Sequence, residues 1–288
     1  MSPILNSILV LSGSGILIAA VLYLVAKKFK VYEDPRIDEV EKILPGANCG
    51  ACGSAGCHAF AERLVGSDEE NFAKCFCPVG GNNTMKTVAS YLGFAASDKE
   101  KTIAVLRCNG SKKNAPQKVK YEGTKSCRLA HMTFAGESGC PYGCLGFGDC
   151  VEVCKFGALS IDEETGLPVV DEEKCTSCGA CVAKCPRNLF EIRPAGKNNK
   201  RIYVACMNQE KGATARKNCV AACIGCGKCS KVYETDAIVV NNNLSYISPK
   251  VDIENYGSQI VGCCPTGAII GVGIASEKTE KIIKDKEV

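Results

Sequence analysis

One run of cysteines constrains this chain more than any other feature. Residues 175–186 have the sequence CTSCGACVAKCP, which is C-x2-C-x2-C-x3-C followed by proline. In bacterial two-cluster proteins this spacing holds cubane iron–sulfur clusters, and its fourth cysteine serves the neighbouring cluster. A structural zinc ion is the simpler alternative, but zinc sites use paired C-x2-C knuckles and not a triple with C-P. The run therefore predicts two adjacent iron–sulfur clusters.

The composition supports metal binding in a reducing compartment. The 288 residues include 22 cysteines but only 2 histidines. Secreted disulfide scaffolds are also rich in cysteine, but they are short, and here the cysteines stand in metal-ligand runs. The formal net charge of +4 is too small to indicate a nucleic-acid partner.

The N-terminal stretch predicts a membrane anchor. Residues 4–26 contain no charged residue and are followed by Lys27, Lys28 and Lys30. As a helix this run would extend about 35 Å, enough to cross a bilayer core. A signal peptide is the alternative, but no basic region precedes the run and no small-x-small cleavage site follows it. The positive-inside rule predicts a single pass through the cell membrane, with the N-terminus outside and the rest in the cytoplasm.

A second group of cysteines follows the predicted anchor. It has the spacing C-x2-C-x4-C with glycine or alanine at most intervening positions, and consists of Cys49, Cys52 and Cys57. Cys75 and Cys77 compete for the fourth position, and Cys77 is favoured because a proline follows it directly. Residues 31–96 are therefore predicted to form a small α-helical domain that holds one [4Fe–4S] cluster.

The remainder of the chain contains an internal repeat. Residues 140–159 return as residues 219–238 with a similar cysteine pattern, and each copy follows a strand-like segment that ends in a cysteine, Cys108 or Cys206. Such self-similarity predicts two tandem ferredoxin-like modules of the βαββαβ type. The predicted class is α+β. The predicted segments are the anchor (1–30), the helical domain (31–96), a linker with a strand (97–135), the first module (136–198), the second module (199–275) and a charged tail (276–288).

The crossed pattern of two-cluster proteins assigns ligands in the first module. One cluster takes its ligands from both halves of the motif: Cys154, Cys175, Cys178 and Cys181. The other takes Cys185 together with an upstream set that keeps Cys144 and Cys150 but has Phe147 in its middle position. Cys140 is the nearest cysteine that could complete this set. A [3Fe–4S] cluster with one ligand missing is the alternative.

The second module has lost one cluster as a unit. Tyr233 stands where the fourth cysteine of the upstream run would be, and residues 246–261 contain no second triple. The crossed pattern predicts that the other cluster keeps all its ligands: Cys223, Cys226, Cys229 and Cys264. About four clusters are thus expected in the chain. Cys206 and Cys219 are predicted to be structural thiols, Cys108 and Cys127 are left between ligation and packing, and Cys75 and Cys263 have no assigned role.

These features predict an electron-transfer protein without a complete active site of its own. The sequence contains no G-x-G-x-x-G motif after a strand, no P-loop and no C-x-x-C-H haem site, so NAD and haem chemistry would lie on partners. No residue is predicted to be catalytic. A cluster-based sensor, or a scaffold with structural metal only, is the alternative from another class.

The order of the motifs resembles one family, the B subunit of the Rnf complex, a membrane-bound ferredoxin:NAD⁺ oxidoreductase that pumps Na⁺ or H⁺. The matching stretches are residues 27–35, 44–52, 77–81, 107–110 and 143–146, together with the two modules. The resemblance implies a subunit that takes electrons from soluble ferredoxin and passes them to flavin-bearing subunits at the lipid bilayer. It also supports Cys77 in the first cluster. A membrane-tethered donor to another reductase, such as one that reactivates a corrinoid protein, is the runner-up.

Overall fold

The computed structural model describes residues 3–28, 34–96, 98–133, 136–233 and 235–274, which include all 22 cysteines. Lys30 and the predicted tail lie outside the described residues. The α-helices in the described part are α1 (Pro3–Lys28), α2 (Pro35–Ile43), α3 (Cys57–Val65), α4 (Glu69–Lys74), α5 (Gly81–Leu92), α6 (Cys127–Thr133), α7 (Asp149–Glu152), α8 (Ala180–Lys184), α9 (Gly212–Asn218), α10 (Lys228–Val232) and α11 (Ile253–Gly262). The strands are β1 (Thr102–Leu106), β2 (Leu159–Ile161), β3 (Pro168–Val170), β4 (Phe190–Pro194), β5 (Arg201–Val204), β6 (Ile238–Asn241), β7 (Leu244–Ile247) and β8 (Ile269–Val272).

Helices α2 to α5 form a small domain around their own core. The Asp34 carboxylate accepts a hydrogen bond from the Arg36 N–H at 2.9 Å and so caps α2, as the Asp-Pro pair in the sequence predicts. Gly93 ends α5 with a φ of 78°, a left-handed conformation that suits glycine. The apolar faces of the helices meet in a shared core that contains Val40, Phe60, Leu64, Phe72 and Val88.

Two modules of the same topology follow this domain. In the first module β1 pairs with β4 and β2 with β3, and in the second β5 pairs with β8 and β6 with β7, all antiparallel. Both therefore have the predicted βαββαβ order, and the α+β class is confirmed. One boundary differs from the prediction: the strand assigned to the linker, β1, closes the sheet of the first module. Local sequence marks β1 as a strand but does not show which distant strand it pairs with.

The two modules pack against each other through β1 and β5. Ile103 and Val105 of β1 share a buried cluster with Tyr203 and Ala205. Next to this cluster the N–H of Asn109 donates to the Ala205 carbonyl at 2.9 Å. The loops that follow β1 and β5 are thereby held side by side. The first of these loops contains Cys108 and the second contains Cys206.

Helix α1 stands apart from these cores. Its apolar side chains are exposed, with Leu11 at 72% and Ile16 at 71%. Judged by length and hydropathy together, none of the helices in the described residues qualifies as a membrane span. The transmembrane anchor and its orientation therefore stay predictions.

Candidate iron–sulfur sites

The first module brings together the four cysteines that the crossed pattern assigns to one cluster. They line a single cavity, called here the outer site: Cys154, Cys175, Cys178 and Cys181. Gly179 caps α8 with a φ of 77°, which lets the loop turn around the cavity. Burial raises the pKa of the Cys181 thiol to about 12, and the neighbouring Cys175 and Cys178 thiols act in the same direction. Such closely grouped thiols favour a cationic metal group between them.

A second cavity in the same module, the inner site, differs from the prediction. Its cysteines are Cys127, Cys144, Cys150 and Cys185. Cys140, which the sequence suggested as the fourth member, lines another cavity instead. Cys127 therefore lies at the inner site, where the sequence pattern has a gap at Phe147. Burial raises the pKa of Cys150 to about 11, and the Cys127 and Cys185 thiols act in the same direction, as expected if the three sulfurs are neighbours.

A buried carboxylate holds Cys127 in this place. The Asp149 side chain accepts hydrogen bonds from the N–H groups of Cys127 at 2.8 Å and Arg128 at 3.2 Å, and so fastens the first turn of α6 over the inner site. Burial alone would raise the pKa of Asp149, but these hydrogen bonds lower it overall. Cys127 lies far upstream of the motif in sequence, so no spacing rule connects it to Cys150. The contact with Asp149 places Cys127 at the inner site, and this contact can be recognised only in the folded structure.

The second module keeps three of its four predicted cysteines in one buried region, and the four together are called the second-module site. Ser245 of β7 touches two of them: its N–H donates to Cys223 Sγ at 3.5 Å, and its Oγ lies 3.1 Å from Cys229 Sγ. Cys264 belongs to the same buried cluster. Burial opposes ionisation of Cys264, but hydrogen bonds from the Thr266 hydroxyl and from backbone N–H groups lower its pKa overall. The remaining predicted ligand, Cys226, is exposed.

A helix and an aromatic pair occupy the part of the second module where the other cluster would be. Residues 253–262 form the regular helix α11, whereas the equivalent part of the first module is the cysteine loop before α8. The Tyr233 ring packs edge-on against Tyr256 of α11, with ring centroids 4.9 Å apart. Ile260 of the same helix is fully buried. Protein side chains thus fill this space.

In the helical domain the structure favours Cys77 over Cys75 as the partner of the upstream cysteines. Cys77 is buried, and its sulfur accepts a hydrogen bond from the Gly80 N–H at 3.3 Å. Burial raises the pKa of Cys77, and the Cys52 and Cys49 thiols add to this effect. Cys75 instead ends α4 as its C-cap. The set consisting of Cys49, Cys52, Cys57 and Cys77 is called the N-terminal site.

The distances between metal-binding side chains can be compared with those around a single zinc ion. A zinc ion with Zn–S bonds of about 2.3 Å would draw four thiolates to within about 3.8 Å of one another. Among the described residues, the one group of metal-binding side chains that all lie within 4.8 Å is Asp38, Glu41 and His58. No three of the 22 cysteines meet that spacing. None of these 22 cysteines, all of which lie in the described residues, forms a disulfide, so each sulfur could serve as a cluster ligand.

Grouped cysteines in two βαββαβ modules define an iron–sulfur protein of the electron-transfer class. Residues 44–75 match the family model described as "Putative Fe-S cluster", and residues 139–189 match the "4Fe-4S dicluster domain". These matches cover the N-terminal site except for Cys77, the outer site in full, and the inner site except for Cys127.

Comparison with whole proteins extends this result to nearly the full chain. The chain is 41% identical to the B subunit of the Na⁺-translocating ferredoxin:NAD⁺ oxidoreductase complex of Acetobacterium woodii, over 97% of its own length and 83% of the relative. It is 38% identical to the B subunit of the ion-translocating oxidoreductase complex of Methanosarcina acetivorans, over 93% and 98%. A proton-translocating counterpart from Clostridium ljungdahlii is 37% identical over 93% of both chains. The chain therefore belongs to the family of B subunits of Rnf-type ion-translocating oxidoreductases, and it is an iron–sulfur electron-transfer subunit. The predicted resemblance is confirmed.

Proposed function

We propose that this subunit takes electrons from reduced soluble ferredoxin and relays them to flavin-bearing subunits of the same membrane complex. The observation that carries the proposal is the closeness of the outer and inner sites. Cys150 of the inner site and Cys181 of the outer site belong to one buried cluster, and Cys154, Cys175 and Cys185 pack against it. Cysteines of both sites therefore lie side by side, as a relay between adjacent centres needs.

Four ligand sets follow from the sequence pattern and the burial of the cysteines, and two of them line observed cavities. They are Cys49, Cys52, Cys57 and Cys77; Cys127, Cys144, Cys150 and Cys185; Cys154, Cys175, Cys178 and Cys181; and Cys223, Cys226, Cys229 and Cys264. Bound [4Fe–4S] clusters supply one-electron chemistry, often at low potential. The second set contains Cys127 in place of Cys140, which the sequence suggested. With Cys127 the inner site has four thiols, so a [4Fe–4S] cluster can bind there without a missing ligand.

The chain's own residues would tune these centres. Backbone N–H groups donate to ligand sulfurs, as Gly80 does to Cys77, and such bonds favour the reduced form. The Arg187 guanidinium donates to the Cys140 carbonyl at 3.1 Å, and the Cys140 and Cys144 thiols lie close enough to act on its charge. Burial lowers the pKa of Arg187. A positive charge at this place stabilises the additional electron of a reduced neighbour.

Electron transfer from ferredoxin can be tested by rapid anaerobic mixing. Reduced ferredoxin is mixed with the oxidised full-length chain, and visible absorbance follows cluster reduction. We expect the chain to be reduced while ferredoxin is oxidised. NAD⁺ added to the reduced chain alone should not reoxidise it, since nucleotide chemistry would need the flavin-bearing partners. Absence of reduction by ferredoxin would contradict the proposal, and purification from membranes without flavin-bearing subunits would favour a donor to another reductase.

We also propose that α1 attaches the subunit to the lipid bilayer, with the iron–sulfur sites on the cytoplasmic side. The support is the run of exposed apolar side chains along α1, which includes Leu22 at 62% and Leu24 at 63% exposure. An apolar surface of this extent needs cover from lipid or from another protein. The basic residues Lys27 and Lys28 end the helix, and the positive-inside rule places them in the cytoplasm.

Washing membranes with alkaline carbonate distinguishes insertion of α1 into lipid from binding of α1 to another protein. The full chain is produced alone, without other subunits of the complex, beside a variant that lacks residues 3–28. Lipid insertion predicts that the full chain stays in the pellet and that the shortened chain is released. Release of both chains would contradict insertion and would leave a partner subunit as the cover for α1.

A further inference from the structure

Four cysteines outside the sets above meet between the two modules. They line one cavity, called here the interface site: Cys108, Cys140, Cys206 and Cys219. Each is at most 9% exposed. Two come from the first module and two from the second, so the cavity exists only when the modules are packed together.

The interface site has an approximate two-fold symmetry that follows from the internal repeat. Cys108 lies just after β1, and Cys206 lies at the equivalent place after β5. Cys108 Sγ accepts hydrogen bonds from the N–H groups of Gly110 and Cys144, both at 3.4 Å. Cys206 Sγ likewise accepts from Asn208 at 3.4 Å and from the backbone of Cys223. Cys144 and Cys223 are equivalent positions of the repeat.

The other two cysteines complete the same symmetry. Cys140 and Cys219 each stand four residues before the repeat-equivalent cysteines 144 and 223. The Asn208 side-chain amide donates to Cys140 Sγ at 3.4 Å while its backbone N–H donates to Cys206, so one residue touches a thiol from each module. On the opposite side, a Cβ placed on Gly110 would lie 3.4 Å from Cys108 Sγ and 3.9 Å from Cys219 Sγ.

We propose that the interface site binds an additional [4Fe–4S] cluster, with two thiolate ligands from each module. The donor set is four cysteines, which is the set that such clusters use. The cavity wall includes Ala115, Gly143 and Ala222, small residues that let the backbone approach a cluster, and four N–H groups already point at the sulfurs. A merely packed thiol would not require three further thiols around the same cavity.

The location gives this cluster a place in the relay. Cys144 lines both the interface site and the inner site, and the Cys223 backbone of the second-module site bonds to Cys206. The interface site therefore lies between the centres of the two modules. The interface cluster would accept one electron from a reduced neighbouring cluster and pass it on to an oxidised one. No proton is transferred and no covalent bond is formed or broken in this step. This inference rests on the proposed iron–sulfur function of the chain.

The test compares two variants of the full-length protein purified without oxygen. In the first, Cys206→Ser and Cys219→Ser are combined, so that two ligands are lost with little change in volume. In the matched control, Cys263→Ser alters a cysteine outside all five sets. We expect the double variant to lose about four iron atoms and four acid-labile sulfides per chain, and the control to lose none. The EPR signals of the remaining clusters should persist in both.

Two further measurements keep the inference testable if the double variant folds poorly. The parent chain should contain roughly 20 iron atoms, against roughly 16 if the interface site is empty. Asn208→Ala should keep all the iron and lower the midpoint potential of one cluster, because two hydrogen bonds to sulfur depend on that residue and the side-chain bond is removed.

The outcomes separate this inference from the proposed function. A parent chain without iron would overturn both. A parent chain that ferredoxin reduces, but whose iron is unchanged in the double variant, would overturn the interface cluster alone. Stoichiometric zinc that disappears with Cys206 and Cys219 would also overturn it.

Discussion

The two ferredoxin-like modules have the same strand order but different interiors. The first surrounds two cysteine-lined cavities, whereas the second has one group of buried cysteines and places α11 where the second cavity would be. The sheets are paired in the same way in both modules. The comparison teaches that this topology tolerates the loss of a cluster when side chains take over the lost volume.

The replacement is apolar and continuous with the rest of the second module. Ile260 of α11 is fully buried, and Tyr233 and Val261 pack against the same core. Burying one such aliphatic side chain contributes about 1.5–3 kcal/mol. In the first module the corresponding space is a cavity with four cysteines in its lining, and none of the described helices is packed into it. We infer that its stability depends more strongly on bound clusters than that of the second module.

The largest effect is expected from Cys264→Ala. It should remove the second-module cluster, about four iron atoms, and leave the clusters of the first module in place. The adjacent variant Cys263→Ala is the control, since Cys263 Sγ donates to the Ile260 carbonyl at 3.1 Å and belongs to no proposed set. Iron and sulfide analysis with EPR measures both. Unchanged iron in Cys264→Ala, or a loss in Cys263→Ala instead, would reverse the assignment.

A smaller effect is expected from Cys127→Ala in the first module. The inner site would keep three thiols, none of them exposed, whereas the exposed Cys226 leaves the second-module site open to solvent. We therefore expect the inner cluster to persist as a three-iron cluster, with the loss of about one iron atom and a three-iron EPR signal in the oxidised protein. Cys75→Ala serves as the control for removing a cysteine outside the sets. If Cys127→Ala showed neither change, the inner site would have to be completed by another group, and Cys140 would return as the candidate.

The smallest effect is expected from Tyr233→Cys, which restores the cysteine that the first module has at this position. Iron content should stay the same, because the other three ligands are absent and α11 fills the space. Loss of the contact between Tyr233 and Tyr256 should reduce stability by about 1 kcal/mol. Thermal unfolding of the iron-loaded protein measures this change. An additional cluster in the variant would show that the cavity persists beneath the aromatic pair.

Much of this architecture can be predicted from local patterns. The Asp-Pro pair predicts the start of α2, Gly93 predicts the end of α5, and the cysteine repeat predicts two βαββαβ units. The crossed ligand pattern also anticipates which cysteines share the outer site. These features depend on spacing over a few residues, and such short-range geometry is set by the backbone itself.

The cysteines that local patterns do not place are those whose neighbours are distant in sequence. Cys127 reaches the inner site through Asp149, and Cys140 turns towards the other module. Cys206 and Cys219, predicted to be structural thiols, line the interface site. The repeat contained a signal for them, since both copies carry a cysteine after the first strand and another four residues before the upstream run.

The amino-acid sequence alone determined the chemistry of this protein and the order of its parts, because ligand type and short-range spacing decide which metal group a loop can hold. Tertiary structure decided how the remaining thiols are divided. Packing of β1 against β5 brings Cys108 beside Cys206. A hydrogen bond from the Cys127 N–H to the Asp149 carboxylate holds Cys127 beside Cys150. Contacts of this kind arise from the burial of whole strands and helices, and no local pattern specifies them.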